Sequence, residues 1–182
     1  MDRAKVMPLL KGVLVLAVIA LCSGLLLGAF NILTYVDPLQ ATLDGFREDS
    51  GAAGEFTMVL EEDTAVNGSA GIIKYYAVST DDYHAFLASG KSSYGEVQLY
   101  IYIKDAQIYK IVLGDFNDDF APNLNNGTFF NQFYGIDLSE LDVSDVDAVA
   151  NATNSSNAAK NAVDAVVQYY NTNVAAGGEN NG

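Results

Sequence analysis

The chain has 182 residues, half of them apolar, and a formal net charge of −14. Residues 37–182 hold 22 of the 23 acidic side chains, because only Asp2 lies before them, and this charge excludes nucleic acid as a partner. A single cysteine, Cys22, excludes a disulfide framework, and a single histidine, His84, leaves no second imidazole or thiolate for a metal site. We expect His84 to be a surface residue.

An uncharged apolar run occupies residues 12–36. It exceeds both the ~20 residues that span a bilayer core and the roughly 7–15 residues of a signal-peptide core. A cleaved signal peptide, or a lipoprotein signal ending at Cys22, is the alternative, but the length of the run favours an uncleaved transmembrane helix. The bases before it predict a cytoplasmic N-terminus over residues 1–11 and an extracytoplasmic chain beyond the helix. These bases are Arg3, Lys5 and Lys11.

Residues 37–55 are predicted to be a linker or a short amphipathic helix. Residues 56–172 are long enough for one folded domain, which the mixed strand and helix patterns assign to the α+β class. Strands are expected at 56–60 and 72–78, where β-branched and aromatic residues concentrate.

The clearest β signal is a hairpin of residues 96–104 and 107–113 around the turn Asp105-Ala106. Strict alternation places aliphatic side chains on one face and tyrosines on the other. The aliphatic positions are Val97, Leu99, Ile101 and Ile103.

The last third of the chain reads as loops and one long helix. The acidic run 115–119 lacks the central glycine and distal glutamate of an EF-hand, which speaks against calcium. Aromatic spacing at 129–135 predicts a short core helix, and residues 156–170 have the period of an amphipathic helix. Ser155 and Ser156 are candidate N-caps of that helix. Residues 173–182 are predicted to be disordered. Four Asn-x-Ser/Thr sequences match the N-glycosylation pattern, but chance matches are expected in a chain so rich in asparagine, and they are assigned no role at this point.

The residues at the entrance of the long helix carry the functional signal. Thr153 stands six residues after the carboxylate of Asp147 and just before a serine pair, Ser155 and Ser156. A helix start offers unpaired backbone N–H groups and the positive end of the helix dipole, so it suits a phosphate. An ordinary capped helix start, with the Thr153 hydroxyl capping a backbone N–H, is the alternative.

Several segments together resemble one family. They are the Asn31-Ile-Leu-Thr34 exit of the apolar helix, Tyr94-Gly95-Glu96 before the hairpin, the aromatic segment 129–135, and Asp147-Ala-Val-Ala-Asn-Ala-Thr153. With them the chain resembles the FMN-binding domain family, and in particular the G subunit of Rnf electron-transport complexes and the C subunit of Na+-translocating NADH:quinone reductase. That family's flavin motif reads Asp-x-x-(Ser/Thr)-Gly-Ala-Thr, and a flavin transferase joins its last threonine to the FMN phosphate.

The resemblance implies a set of cofactor-binding residues, with no catalytic residue and no metal ligand. Thr153 matches the flavin-bearing threonine, whereas Ala150 and Asn151 replace the family's Ser/Thr and glycine. The loop 115–124 also lacks the family's Glu-Thr-Pro-Gly segment, which lines the flavin. The implied set is Asp147, Asn151, Ala152, Thr153, Ser155 and Ser156.

Two functions remain open at this point. The first is a membrane-anchored electron-transfer subunit of an Rnf- or Nqr-like, redox-driven ion-translocating complex, with FMN held covalently on Thr153. Its partners would be the other membrane subunits and a flavin transferase. The second is a member of the family that has lost the flavin and serves as a structural or assembly subunit or as an extracytoplasmic binding domain.

Overall fold

The computed structural model describes residues 3–35, 37–125 and 127–176, which fall into two units divided between Ala41 and Thr42. The first unit contains helix α1, Arg3–Thr34, whose side chains from Lys11 to Thr34 are all exposed. Among the described helices, it supplies the one apolar stretch long enough to cross a membrane. The predicted apolar helix is therefore confirmed.

Helix α2, Pro38–Ser50, follows, and it is the second of the two alternatives for residues 37–55. Proline is favoured at a first helical position, and the carboxylate of Asp37 accepts a hydrogen bond from the N–H of Leu39 (3.0 Å). Further along α2, Phe46 is buried to 1 % exposure among aromatic residues of the sheet, so this part of the helix belongs to the folded domain.

The second unit is built on a six-stranded antiparallel sheet. Five strands run in the spatial order β1-β3-β4-β5-β6, and β2 pairs with β3 beside β1. The strands are β1 Phe56–Leu60, β2 Thr64–Ala65, β3 Ile72–Ser79, β4 His84–Lys91, β5 Glu96–Lys104 and β6 Gln107–Phe116. The predicted strands at 56–60 and 72–78 and the β5–β6 hairpin are confirmed.

Helix α3, Thr153–Tyr169, lies on one face of the sheet and buries its alanine and valine stripe there. The four aliphatic positions of β5 point to this face, as the alternation predicts. Two glycines let the helix backbone approach closely, because a Cβ at Gly90 would overlap the carbonyl oxygen of Ala158, and one at Gly71 that of Asn161. The α+β class with a C-terminal helix is therefore confirmed.

Short helical turns close the far side of this core. Phe130–Phe133 form a 3₁₀ helix that buries both phenylalanines, which confirms the short core helix predicted at 129–135. The other 3₁₀ turns are Ala121–Asn125 and Val143–Asp145. Beyond α3, Tyr170–Ala175 continue as a π-helix and Ala176 is also helical, so residues 173–176 are helical where disorder was predicted. The rest of that predicted tail, residues 177–182, lies outside the described residues.

The expectation for His84 is wrong. Its side chain opens the central strand β4 and is 6 % exposed. The Nδ1 atom is hydrogen-bonded to the hydroxyl of Tyr76 (2.8 Å), and Nε2 lies 3.4 Å from the carboxylate of Asp82. Burial lowers the pKa of His84, and the attraction of Asp82 opposes that change only in part.

Candidate functional site

A sharp turn leads the chain into α3. Asn151 adopts φ +64°, the left-handed region that disfavours most side chains but is accessible to Asn, and its side chain is exposed. In the motif that the sequence resembles, a glycine falls at this position, and Gly or Asn is the residue best suited to a positive φ. Thr153, two residues later, is the first residue of α3 and is exposed. The expected placement of Thr153 at a helix entrance is confirmed.

The serines predicted to cap α3 are not its N-caps. The cap position is Ala152, which is buried and makes no side-chain hydrogen bond to the helix. Ser156 lies inside the first turn, where its hydroxyl donates to the carbonyl of Ala152 (2.9 Å) and accepts from the N–H of Val149 (3.0 Å). This buried hydroxyl therefore joins the incoming loop to the first turn of the helix.

Ser155 makes a different contact, to a buried carboxylate that the sequence did not single out. Its hydroxyl lies 2.9 Å from both carboxylate oxygens of Asp118, which is 1 % exposed. Asp118 also accepts from the hydroxyl of Ser92 and from the N–H of Phe120 (2.9 Å). Burial acts to raise the pKa of Asp118, but the hydrogen bonds from Ser92, Phe120 and Ser155 outweigh it and hold this pKa below the ordinary value.

Asp118 belongs to the acidic run 115–119, and its role there is structural. In the part of the chain that the structure describes, no three His, Cys, Asp or Glu side chains are grouped as metal ligands. The carboxylate instead ties three distant segments together, namely the β4–β5 turn, the loop after β6 and the start of α3. No local pattern in the sequence signals the two side-chain contacts, because Ser92 and Ser155 are 26 and 37 residues from Asp118.

The segment before the turn is held by a side-chain amide. Gln132 accepts from the N–H of Asp147 (2.9 Å) and donates to the carbonyl of the same residue (3.2 Å). The carboxylate of Asp147 is left exposed to solvent. An open depression of about 390 Å³ lies here, lined by Thr128, Phe129, Gln132 and residues 147–150.

Among the described residues, those that line this depression include no lysine or arginine. Lys160, two turns along α3, donates to the carbonyls of Ser144 (3.0 Å) and Val146 (2.7 Å) and so holds the neighbouring loop. An anion at the entrance of α3 would therefore depend on backbone N–H groups and the helix dipole. Of the expected cofactor residues, Asp147, Asn151 and Thr153 are exposed together at this end of α3, while Ala152, Ser155 and Ser156 are buried.

The geometry fits the attachment of FMN at Thr153 on three counts. The threonine side chain is accessible, the turn before it has a positive φ of the kind that glycine adopts readily, and the helix start provides N–H groups for a phosphate. No protein-family model, no curated protein and no solved structure matches this chain.

Proposed function

We propose that this protein is a membrane-anchored electron-transfer subunit that carries FMN in a phosphoester bond to Thr153. The observation that carries the proposal is the exposure of Thr153 at the first residue of α3, directly after the left-handed turn at Asn151. The protein belongs, on this proposal, to an Rnf- or Nqr-like redox-driven ion-translocating complex. Its partners are the other membrane subunits and a flavin transferase.

Membrane anchoring is supported by α1. From Lys11 to Thr34 this helix exposes apolar side chains all round, as a lipid-facing helix does. The bases before the apolar run, with the next base only at Arg47, support a cytoplasmic N-terminus and an extracytoplasmic domain. The flavin would then be carried on the outer side of the membrane.

Attachment requires one new bond. The hydroxyl oxygen of Thr153 would bond to the flavin phosphate and lose its proton, while the phosphoanhydride bond of a flavin dinucleotide would break and its other half would leave as a nucleoside monophosphate. The N–H groups at the start of α3, which begins at Thr153, would stabilise the added negative charge. The buried hydroxyls of Ser155 and Ser156 hold the protein rather than the phosphate.

The bound FMN would accept and pass on one or two electrons, and the protein would supply the attachment and the surrounding polarity. Gln132 and Ser156 fix the loop that ends at Thr153, the first through Asp147 and the second through Val149. No side chain is required as an acid or a base in this role.

A flavin-less structural or assembly subunit is the second candidate, and one contact favours it. The carboxylate of Asp118 is buried against Ser155 in the first turn of α3 and remains charged at neutral pH, because its pKa is held low. A negative charge in that place opposes a second one on a phosphate. The changes at Ala150 and Asn151 act in the same direction.

In-gel flavin fluorescence of the full-length chain, co-expressed with a flavin transferase, tests the two candidates. On the proposal the wild type is fluorescent and Thr153→Ala is dark. Thr128→Ala, which removes another exposed threonine beside the same depression, stays fluorescent. A wild type that is dark while the double variant Ala150→Thr, Asn151→Gly is fluorescent establishes the flavin-less subunit. If both are dark in a host that labels a competent flavin domain, attachment at Thr153 is overturned.

A further inference from the structure

Four Asn-x-Ser/Thr sequences occur in the chain, and the three that the structure describes differ in how accessible their side chains are. They begin at Asn67, Asn151 and Asn154, while the fourth, at Asn126, lies outside the described residues. Modification of such a sequence requires both its asparagine amide and the hydroxyl two residues later to reach the transferase. In a folded protein, only a sequence with both groups accessible meets this requirement.

Two of the three have a hydroxyl that is already engaged. The hydroxyl of Ser69, paired with Asn67, donates to the carbonyl of Asn161 (3.4 Å) and accepts from the N–H of Gly71 (3.2 Å). The hydroxyl of Ser156, paired with Asn154, is fully buried and bonded on both sides. The Ser156 hydroxyl is therefore out of reach without local unfolding, and the Ser69 hydroxyl is half-buried and hydrogen-bonded.

The sequence Asn151-Ala152-Thr153 differs in every one of these respects. Both Asn151 and Thr153 are exposed, while the alanine between them is buried and anchors the turn. The left-handed backbone at Asn151 makes this turn sharp, and residues 147–150 border an open depression with room for a sugar. Of the three described sequences, this is the one in which the asparagine and the hydroxyl-bearing residue are both exposed.

We infer that Asn151 is an N-glycosylation site of the folded protein, which rests on the extracytoplasmic location proposed above but not on the flavin. The donor is a lipid-linked oligosaccharide. The amide nitrogen of Asn151 bonds to the anomeric carbon of the first sugar and loses a proton, and the bond from that carbon to the lipid phosphate breaks. The Thr153 hydroxyl is the group that the transferase reads.

Glycosylation and flavin attachment at this turn exclude one another. A flavin phosphoester consumes the Thr153 hydroxyl that the oligosaccharyltransferase reads, and a glycan on Asn151 stands two residues before the threonine that the flavin transferase must reach. With Asn151 in place of the motif's glycine, N-glycosylation of Asn151 competes with flavin attachment at Thr153. Whichever modification occurs first prevents the other.

The test uses folded full-length protein in detergent, a purified oligosaccharyltransferase and its lipid-linked oligosaccharide, with no flavin transferase present. Cleavage before aspartate releases residues 147–163, and mass spectrometry with fragmentation locates any added sugar. The expected result is a mass increase equal to the oligosaccharide, placed on Asn151. It is lost in Asn151→Gly and in Thr153→Ala, and it is kept in Thr153→Ser.

Asn154→Gln is the matched control, because it removes the neighbouring exposed asparagine and leaves the proposed site intact. An unmodified wild-type peptide, alongside a fully modified unstructured Asn-x-Thr peptide, overturns the inference, and so does sugar placed on Asn154. Asn151→Gly separates this result from that of the proposed function. It removes the glycan acceptor, keeps Thr153 and suits φ +64°, so its flavin fluorescence is measured independently.

Discussion

The two faces of the sheet are covered in different ways. On one face, α3 packs small and aliphatic side chains against β4 and β5, and its backbone comes so close that Gly71 and Gly90 have no room for a Cβ. On the other face, α2 inserts one aromatic ring, Phe46, among Phe56, Tyr100 and Tyr102, with ring centroids 6.1 to 6.3 Å apart.

Hydrogen bonds complete the α2 face and converge on the last two residues of that helix. The hydroxyl of Tyr102 donates to the carboxylate of Asp49 (3.1 Å) and that of Tyr109 to the carbonyl of Ser50 (3.0 Å), while the ammonium of Lys110 donates to the carbonyl of Asp49. Close backbone packing thus positions α3, whereas the Phe46 ring and the hydrogen bonds around it position α2.

Three substitutions and one titration test this difference.

The largest effect is expected from Phe46→Ala. Removing a fully buried phenylalanine costs about 3–5 kcal/mol of unfolding free energy, and here that ring is the centre of a small cluster. Urea unfolding of the full-length protein in detergent measures the loss, and hydrogen exchange shows whether α2 detaches first. Phe116→Ala, at a side chain that is 45 % exposed, is the control and should change stability by less than about 1 kcal/mol. Equal effects of the two would contradict the central role of Phe46.

Gly90→Ala tests the close packing on the α3 face. The added methyl overlaps the carbonyl oxygen of Ala158, so a strand or the helix must move, at a cost of up to about 3 kcal/mol. Gly45→Ala in α2 is matched in chemistry but meets no atom within 4 Å, and it should stabilise the protein by about 0.5–1 kcal/mol through helix propensity. Urea unfolding midpoints show whether Gly90→Ala lowers the stability and Gly45→Ala raises it. If both variants changed stability in the same direction, close backbone packing would not distinguish the α3 face from the α2 face.

Asp118→Asn tests the polar contact that joins the α3 face to its loops. The substitution weakens the acceptor for Ser92, Ser155 and the N–H of Phe120, and we expect a loss of about 1–3 kcal/mol at pH 7. Because the folded pKa of Asp118 is lowered, its contribution is present above the unfolded pKa of ~3.9 and is lost as the pH falls through the folded pKa. The difference in unfolding free energy between Asp118→Asn and the wild type should therefore become smaller at acidic pH.

Urea unfolding curves at neutral and acidic pH measure this difference in unfolding free energy for Asp118→Asn. Asp119→Asn, at the exposed neighbouring carboxylate, is the control and should leave stability nearly unchanged. A gap that widens on acidification would show that the charged form of Asp118 is not the stabilising one.

The smallest effect is expected from His84, since it involves a single proton. Its lowered pKa means that the neutral ring stabilises the fold above the unfolded pKa of ~6.5, and that this contribution is lost as the pH falls through the folded pKa. The facing groups are Tyr76, Asp82 and, edge-on at 5.2 Å, Tyr170. His84 is the chain's one histidine, so ring titration by NMR is unambiguous. A midpoint above 6.5 is the contrary result, and His84→Gln should abolish the pH dependence of stability just below pH ~6.5.

Much of the fold follows from sequence patterns that act over short distances. The β5–β6 hairpin alternates aliphatic and polar or aromatic residues on either side of a two-residue turn. Asp105 and Ala106 both adopt positive φ, as a type I′ turn requires. The long helix has its apolar stripe, and the placement of Thr153 at its entrance was predictable from spacing. These features need only neighbouring residues, so the sequence contains the information locally.

The central strand β4 escaped prediction because its residues are poor indicators of a strand. It contains two alanines, a serine and a glycine, none of which favours β structure by itself. Its residues from His84 to Gly90 are all buried, so neither face alternates with solvent. Small side chains are needed there because α3 packs closely on one side, a requirement that appears only in the assembled core.

The sequence by itself determined an apolar N-terminal helix, the hairpin, the amphipathic C-terminal helix and a threonine at that helix's entrance, because each depends on periodicity or on a turn. The tertiary structure alone decided that His84 is buried and that Ser155 binds Asp118. It also decided that Asn151 and Thr153 are exposed together while Ser156 is not. Burial and long-range hydrogen bonds join residues distant in the chain, so they are set by how the elements pack.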